Sequence, residues 1–196
     1  MAGKLIILYG INNLGKSTQA KLLVERLQKV KLAAAYLKYP LYDLEPSGPL
    51  INTYLREGNP EELSIREFQL LQVMNRTQYD AELRKRLSSD EWIVAEDYIG
   101  TGIAWGIGGG VDRGFLERLN AHLRAEDLCF LFQGERFMKA QEKNHQHETD
   151  HDLTERVRKA HDELAAEKRW EYIQANKSIE AISDDIWKIV SAKFKL

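Results

Sequence analysis

The sequence predicts an α/β fold: a five-stranded parallel sheet with helices on both faces, arranged in three layers. Short apolar runs alternate with longer stretches of helical period, the alternation that crossover helices impose on a parallel sheet. The first apolar run passes through a glycine-rich turn directly into the first helical stretch. With 196 residues, one domain with a proper core is expected, since about 150 residues is a typical domain.

Leu5-Ile6-Ile7-Leu8-Tyr9 reads as a buried first strand. Ser17 to Val30 follows as a helix whose Leu22, Leu23, Arg26 and Leu27 set an apolar stripe on one side. Ala33 to Leu37 supplies the second strand. Between Ser64 and Leu87, residues Ile65, Phe68, Leu71, Met74, Tyr79 and Leu83 predict a long helix that stops near Ser88-Ser89-Asp90. It carries more apolar positions than one buried face needs. Trp92 to Ala95 is the third strand, Leu128 to Phe132 the fourth, and Glu171 to Ala175 a weaker fifth. Ile179, Ile182, Ile186, Ile189 and Val190 repeat at three and four and mark the last helix. Gly108-Gly109-Gly110 reads as a flexible turn. The charge-dense stretch from Glu135 to Asp152 predicts a lid at about residues 134–152 within one domain spanning 1–196.

Lys and Arg total 28 against 30 Asp and Glu, a net charge of −2. Binding of a nucleic acid polymer through overall charge is therefore disfavoured. The one cysteine, Cys129, sits in an apolar run and cannot form an internal disulfide, which fits a buried thiol in a reducing cytoplasm. No apolar stretch approaches the ~20 residues needed to span a bilayer. Gly10 and Asn12 interrupt the run after Tyr9, so a signal-peptide pattern is lacking as well. Neither membrane insertion nor secretion is expected.

Gly10-Ile11-Asn12-Asn13-Leu14-Gly15-Lys16-Ser17 matches the phosphate-loop (P-loop) pattern G-x-x-x-x-G-K-[ST], placed between a strand and a helix as its physics requires. Glycines let backbone amides converge on phosphate oxygens, and the helix start adds a favourable dipole. Lys16 would reach the β- and γ-phosphates and Ser17 would ligate Mg²⁺. Gly10, Asn13, Leu14, Gly15 and Thr18 complete the expected ATP site. No Asn-Lys-x-Asp guanine signature occurs, and the chain is short for a motor, which favours a compact kinase.

Read in order, the motifs resemble the thymidylate kinase family of nucleoside monophosphate kinases over nearly the whole chain. They are Gly15-Lys16-Ser17-Thr18-Gln19, Tyr39-Pro40, Gly48 to Leu55, Asn75-Arg76, Glu96 to Trp105, Glu155 to Arg158 and Asn176 to Glu180. The resemblance implies a phosphoryl acceptor contacted by Asn12, Tyr39, Tyr42, Gln72, Arg76, Asp97, Tyr98 and Gly102. It also implies a donor adenine near Asn176 and Ser178, and a homodimer. Trp105 would either wall the sugar or belong to the core. Four positions depart from the family pattern: Asn12 replaces an acidic residue, Tyr42 a phosphate-binding arginine, Gln72 the aromatic that stacks on thymine, and Asp97 the arginine of an Asp-Arg-Tyr segment. All four fall on the acceptor side.

Glu96 and Asp97, at the end of the third strand, are expected to organise Mg²⁺ or the acceptor hydroxyls, the alternative being a solvated strand end. Arg76, with Arg56 or Arg113 as further candidates, would supply positive charge for the acceptor phosphate. Of the lid cations Arg136, Lys139 and Lys143, the first and last are expected to neutralise the transferring phosphoryl group. His145, His147 and His151 are read as solvent-facing rather than as a zinc site. The expected activity is ATP- and Mg²⁺-dependent phosphorylation of a deoxynucleoside monophosphate, dTMP first. A kinase for another deoxynucleotide or nucleoside, or a non-catalytic ATP-binding regulator, is the alternative.

Overall fold

The computed structural model describes residues 2–136 and 151–196. Its strands are β1 (Leu5–Tyr9), β2 (Ala34–Lys38), β3 (Trp92–Glu96), β4 (Leu128–Gln133) and β5 (Glu171–Gln174). The helices are α1 (Lys16–Lys29), α2 (Ser47–Arg56), α3 (Ile65–Ser88), α4 (Ile99–Gly108), α5 (Arg113–Asn120), α6 (His151–Lys168) and α7 (Ile179–Phe194). Every strand pair is parallel, in the order β2-β3-β1-β4-β5. The five-stranded α/β prediction holds, with each predicted strand in place to within one or two residues.

β1 and β3 are buried along their whole length, which is why they read as unbroken apolar runs and not as alternations. In register, Leu8 faces Glu96 and Tyr9 faces Leu131, so the carboxyl ends of β1, β3 and β4 open at one edge of the sheet. Ligands of open α/β sheets bind in the crevice outside those ends. α1 packs on β2, β3 and α7, while α4 packs on α6 and α3. Ser64 caps α3 reciprocally: its hydroxyl accepts from Glu67 N at 3.2 Å and Glu67 Oε2 accepts from Ser64 N at 2.8 Å.

Two features differ from expectation. α4 contains Gly100, Gly102, Gly106 and Gly108, and glycine costs about 1 kcal/mol per helical position relative to alanine, so its pattern reads poorly as a helix. The Gly108-Gly109-Gly110 run is a packing surface as well as a turn. A Cβ on Gly108 would stand 2.6 Å from Val157 Cγ2, and one on Gly109 2.7 Å from Ile65 Cγ2. A smaller core of Ile51, Tyr54, Leu55, Phe68 and Leu71 ties α2 to α3. There the Tyr54 and Phe68 rings stack at 3.7 Å.

Candidate active site

The loop after β1 is shaped by residues in the left-handed region, Gly10 (φ 134°), Asn13 (φ 65°) and Gly15 (φ 80°). α1 starts at Lys16 without a side-chain cap, which leaves its first amides directed at the loop. Lys16, only 5 % exposed, folds back over the loop and donates to the carbonyls of Gly10 at 2.8 Å and Ile11 at 2.9 Å. Its Nζ lies 3.6 Å from Asp97 Oδ1.

β3 delivers the opposing acid. Glu96, buried at the strand end, accepts from Ser17 Oγ at 2.9 Å and from the Tyr36 hydroxyl, with Lys38 Nζ 3.7 Å from its Oε1. Burial and then the Glu96 carboxylate push the Tyr36 phenol upward, so it stays a donor. Asp97 takes a left-handed conformation (φ 56°) and accepts from Thr101 Oγ1 at 3.0 Å. Burial raises its carboxyl, Lys16 draws it back, and Glu96 raises it further. Glu96 and Asp97 therefore face the loop, and the solvated-strand-end reading does not fit.

A cleft of about 700 Å³ runs from this loop to α3. At its loop end lie Asn12 to Gln19 with Lys177, Ser178, Ile179 and Ile182. Ser178 caps α7 by accepting from Ala181 N at 3.2 Å, and Gln19 Nε2 donates to Ile179 O at 2.9 Å, locking α7 to α1. The far end holds Tyr39, Tyr42, Arg56, Phe68, Gln69, Gln72, Arg76, Gly102 and Trp105. Phe68, Gln72 and Arg76 follow one another at intervals of four on α3, so they share a face. Gln69 is 3 % exposed yet lines the cleft, and neither its amide nor that of Gln72 hydrogen-bonds a described residue. Arg76 is buried, donates to Asn120 Oδ1 at 3.2 Å, and its Nε has no acceptor among the described residues. A Cβ on Gly102 would stand 2.5 Å from Arg76 Nη2, so the glycine makes room for the guanidinium.

The remaining expected residues fall elsewhere. Tyr98 is buried against Tyr39, with ring centroids 5.0 Å apart, and supports the cleft wall without lining it. Asn176 grips the backbone of Glu135, accepting at 2.6 Å and donating at 3.1 Å, outside the cleft lining. Arg113 pairs with Glu117 and Glu167 on the outer helices and is no acceptor-site cation. Arg136 follows β4 and does not line the cleft, while Lys139, Lys143, His145 and His147 lie outside the described residues. His151 is exposed at the start of α6. Cys129 is buried, and burial pushes its thiol upward.

Comparison with known proteins decides the family. The thymidylate kinase family model matches residues 8–186. The chain belongs to the thymidylate kinase family. It is 28 % identical over 196 residues to a thymidylate kinase of Dictyostelium discoideum, covering 98 % of this chain and 87 % of that one. It is also 28 % identical over 190 residues to the human thymidylate kinase, covering 94 % and 88 %. A Candida albicans thymidylate kinase structure superposes with a TM-score of 0.78 at 22 % identity, covering 97 % of this chain and 92 % of that one. An Ehrlichia chaffeensis thymidylate kinase gives 0.76 at 18 %, with 97 % and 100 % covered.

Within this thymidylate kinase fold, the cleft joins all four departures of the sequence. Asn12, Tyr42, Gln72 and Asp97 each line it. Sequence reasoning missed Lys38, Phe68 and Gln69. For Phe68 the signal was present, since it stands four residues before Gln72 on the same helical face.

Proposed function

We propose that the chain transfers the γ-phosphoryl group of ATP to the 5′-phosphate of dTMP, giving dTDP and ADP. The carrying observation is one cleft of about 700 Å³ that joins the phosphate loop to the Gln72 and Arg76 face of α3, so a donor site and a second set of polar side chains open into the same space. An acceptor phosphate oxygen attacks the γ-phosphorus while the bond to the β–γ bridging oxygen breaks. The attacking phosphate oxygen is already ionised and the departing charge leaves on ADP, so alignment and charge neutralisation supply the catalysis and no strong general base is needed. Lys16 and the first amides of α1 would hold the β- and γ-phosphates. Ser178 and Ile179 would border the adenine. Gln72 and Gln69 would offer amide donors and acceptors to the base edge, beside Arg76. Arg136 and Lys143 are proposed as lid cations.

The Ser17 hydroxyl and Glu96 carboxylate, 2.9 Å apart, are hard oxygen donors of the kind Mg²⁺ accepts together with water and phosphate oxygens. Bound there with Asp97 nearby, the ion would screen charge on the transferring group. Among the described residues no group of three or more His, Cys, Asp or Glu forms a self-sufficient metal cage, which suits an ion that arrives with the nucleotide.

On α3, Leu70 and Met74 are 44 % and 38 % exposed one turn apart, and this supports a homodimer through that helix. No described helix is long and apolar enough to cross a membrane, and a cytoplasmic location accords with the single buried cysteine. The test of function is ADP release by the purified chain over a panel of dTMP, dUMP, dCMP, dAMP and dGMP. Turnover with dTMP supports the reading, and ATP binding without turnover of any monophosphate refutes it. Light scattering of Leu70→Glu against wild type tests the dimer.

A further inference from the structure

The family pattern puts a phosphate-binding arginine at the position of Tyr42, and a second arginine at that of Asp97, so this cleft has lost two positive charges from its acceptor end. The structure places another arginine beside Tyr42. Arg56, the last residue of α2, lies with its Cζ 4.6 Å from the centroid of the Tyr42 ring, inside the same cleft. We infer that Arg56, carried on the face of Tyr42, binds the acceptor phosphate, so the arginine lost at position 42 is replaced across space by one from α2. This inference rests on the kinase reading above.

Three features support the assignment. A guanidinium stacked on an aromatic face is held in orientation while the edge of its planar fork can meet phosphate oxygens. Arg56 Nη1 also donates to Asn52 Oδ1 at 2.7 Å, one turn back on α2, so the group is held from two sides. The small core of Ile51, Tyr54, Leu55, Phe68 and Leu71 clamps this part of α2 to α3, fixing Arg56 relative to Gln72 and Arg76.

The other cations of the cleft stand elsewhere along it. Lys16 spans the loop carbonyls and Asp97, Lys38 sits on Glu96, and Lys177 pairs with Asp185 at 2.7 Å. Arg76 is buried against Asn120. Arg56 lies beside Tyr42 at the acceptor end of the cleft, away from the triphosphate loop. Asp97 fits the same arrangement, because its charge is met by Lys16 and it need not face the acceptor phosphate.

The test is calorimetric titration of dTMP and of thymidine, which lacks the phosphate, into wild type, Arg56→Gln and the double variant Arg56→Gln/Tyr42→Arg, with ATP titrated into each as a control. A charge-assisted fork on phosphate predicts that Arg56→Gln weakens dTMP at least tenfold. Thymidine and ATP should stay within twofold, and Tyr42→Arg should recover most of the loss. Equal weakening of dTMP and thymidine makes Arg56 a structural residue and overturns the inference, as does unchanged dTMP affinity. So does a wild type that binds dTMP no more tightly than thymidine. A wild type that binds dTMP through Arg56 but transfers no phosphoryl group refutes the kinase reading alone.

Discussion

Ser17 Oγ donates to Glu96 Oε2 across 2.9 Å, tying the phosphate loop to the end of β3. Glu96 is further held by Tyr36 and lies beside Lys38, so its position is set before any ion arrives. Replacing Glu96 with Gln keeps the shape and removes the charge. The expected result is an activity loss of about 100-fold, the scale of one electrostatic contact to the reacting group, with a higher Mg²⁺ concentration for half-maximal rate. An unchanged Mg²⁺ dependence would move the ion's site away from Glu96.

Lys16 is the loop's point charge. Lys16→Met preserves the stem's volume but leaves the Gly10 and Ile11 carbonyls without the ammonium they now share. We expect kcat to fall by roughly 100- to 1,000-fold, with a normal circular dichroism spectrum and only a small change in melting temperature. Normal turnover by a folded Lys16→Met protein would sink the kinase assignment.

How much could be read beforehand follows from the physics of each element. β1 and β3 were legible because both faces of each are buried, which demands continuous apolar runs. The loop was legible because phosphate binding constrains residue type and spacing together. α4 was not, because its glycines serve close packing on Arg76, Leu116 and Val157, and this tertiary gain overrides weak helix propensity. Arg113 illustrates a different limit: Glu117, four residues on in α5, is a partner that helical spacing offers, whereas Glu167 on α6 is brought to it only by the fold. The same holds for Gln69, whose place beside Gln72 depends on how α3 rotates into the cleft.

Gln72 occupies the position where the family pattern has a stacking aromatic, one turn from Phe68. Since stacking on a base is worth about 1–3 kcal/mol, Gln72→Phe should lower the dTMP KM about fivefold or more while weakening discrimination between dTMP and dCMP. Discrimination should suffer because the amide's hydrogen bonds to the base edge are lost. A higher KM would show that the cleft at this point is too narrow for an aromatic.

His161, on α6, is fully buried, with Nδ1 3.1 Å from Val157 O and Nε2 unpartnered among the described residues. Burial, and secondarily Lys16, lower it from about 6.5 to about 3. The neutral ring is therefore the folded form, and the unfolded chain binds the extra proton between those values. The stability this represents is complete above about pH 6.5 and is lost as pH falls toward 3, by up to ~1.4 kcal/mol per pH unit. Urea unfolding of wild type against His161→Asn should show wild type losing about 2 kcal/mol more between pH 6.5 and pH 5. Parallel curves would place the acid sensitivity in other groups.

Gly102 gives the sharpest test of Arg76, because a methyl there displaces the guanidinium while little else in the cleft must change. The glycine is inside α4, where alanine is favoured by about 1 kcal/mol, and its φ is not in the left-handed region. A methyl there would stand 2.5 Å from Arg76 Nη2 and 2.7 Å from Nη1, so the guanidinium must move while the helix backbone need not. Gly102→Ala should therefore change the melting temperature little, because the helix gain offsets the disturbed Arg76–Asn120 bond. The dTMP KM should rise about tenfold and kcat fall, with the KM for ATP unchanged, because the displaced side chain lies at the acceptor end of the cleft and not at the loop. Arg76→Met should give the same kinetic pattern together with a loss of stability, since it vacates a buried site and strands Asn120 Oδ1. If Gly102→Ala leaves acceptor kinetics untouched, Arg76 does not contact the acceptor, and its role is confined to holding α3 against α4 and α5.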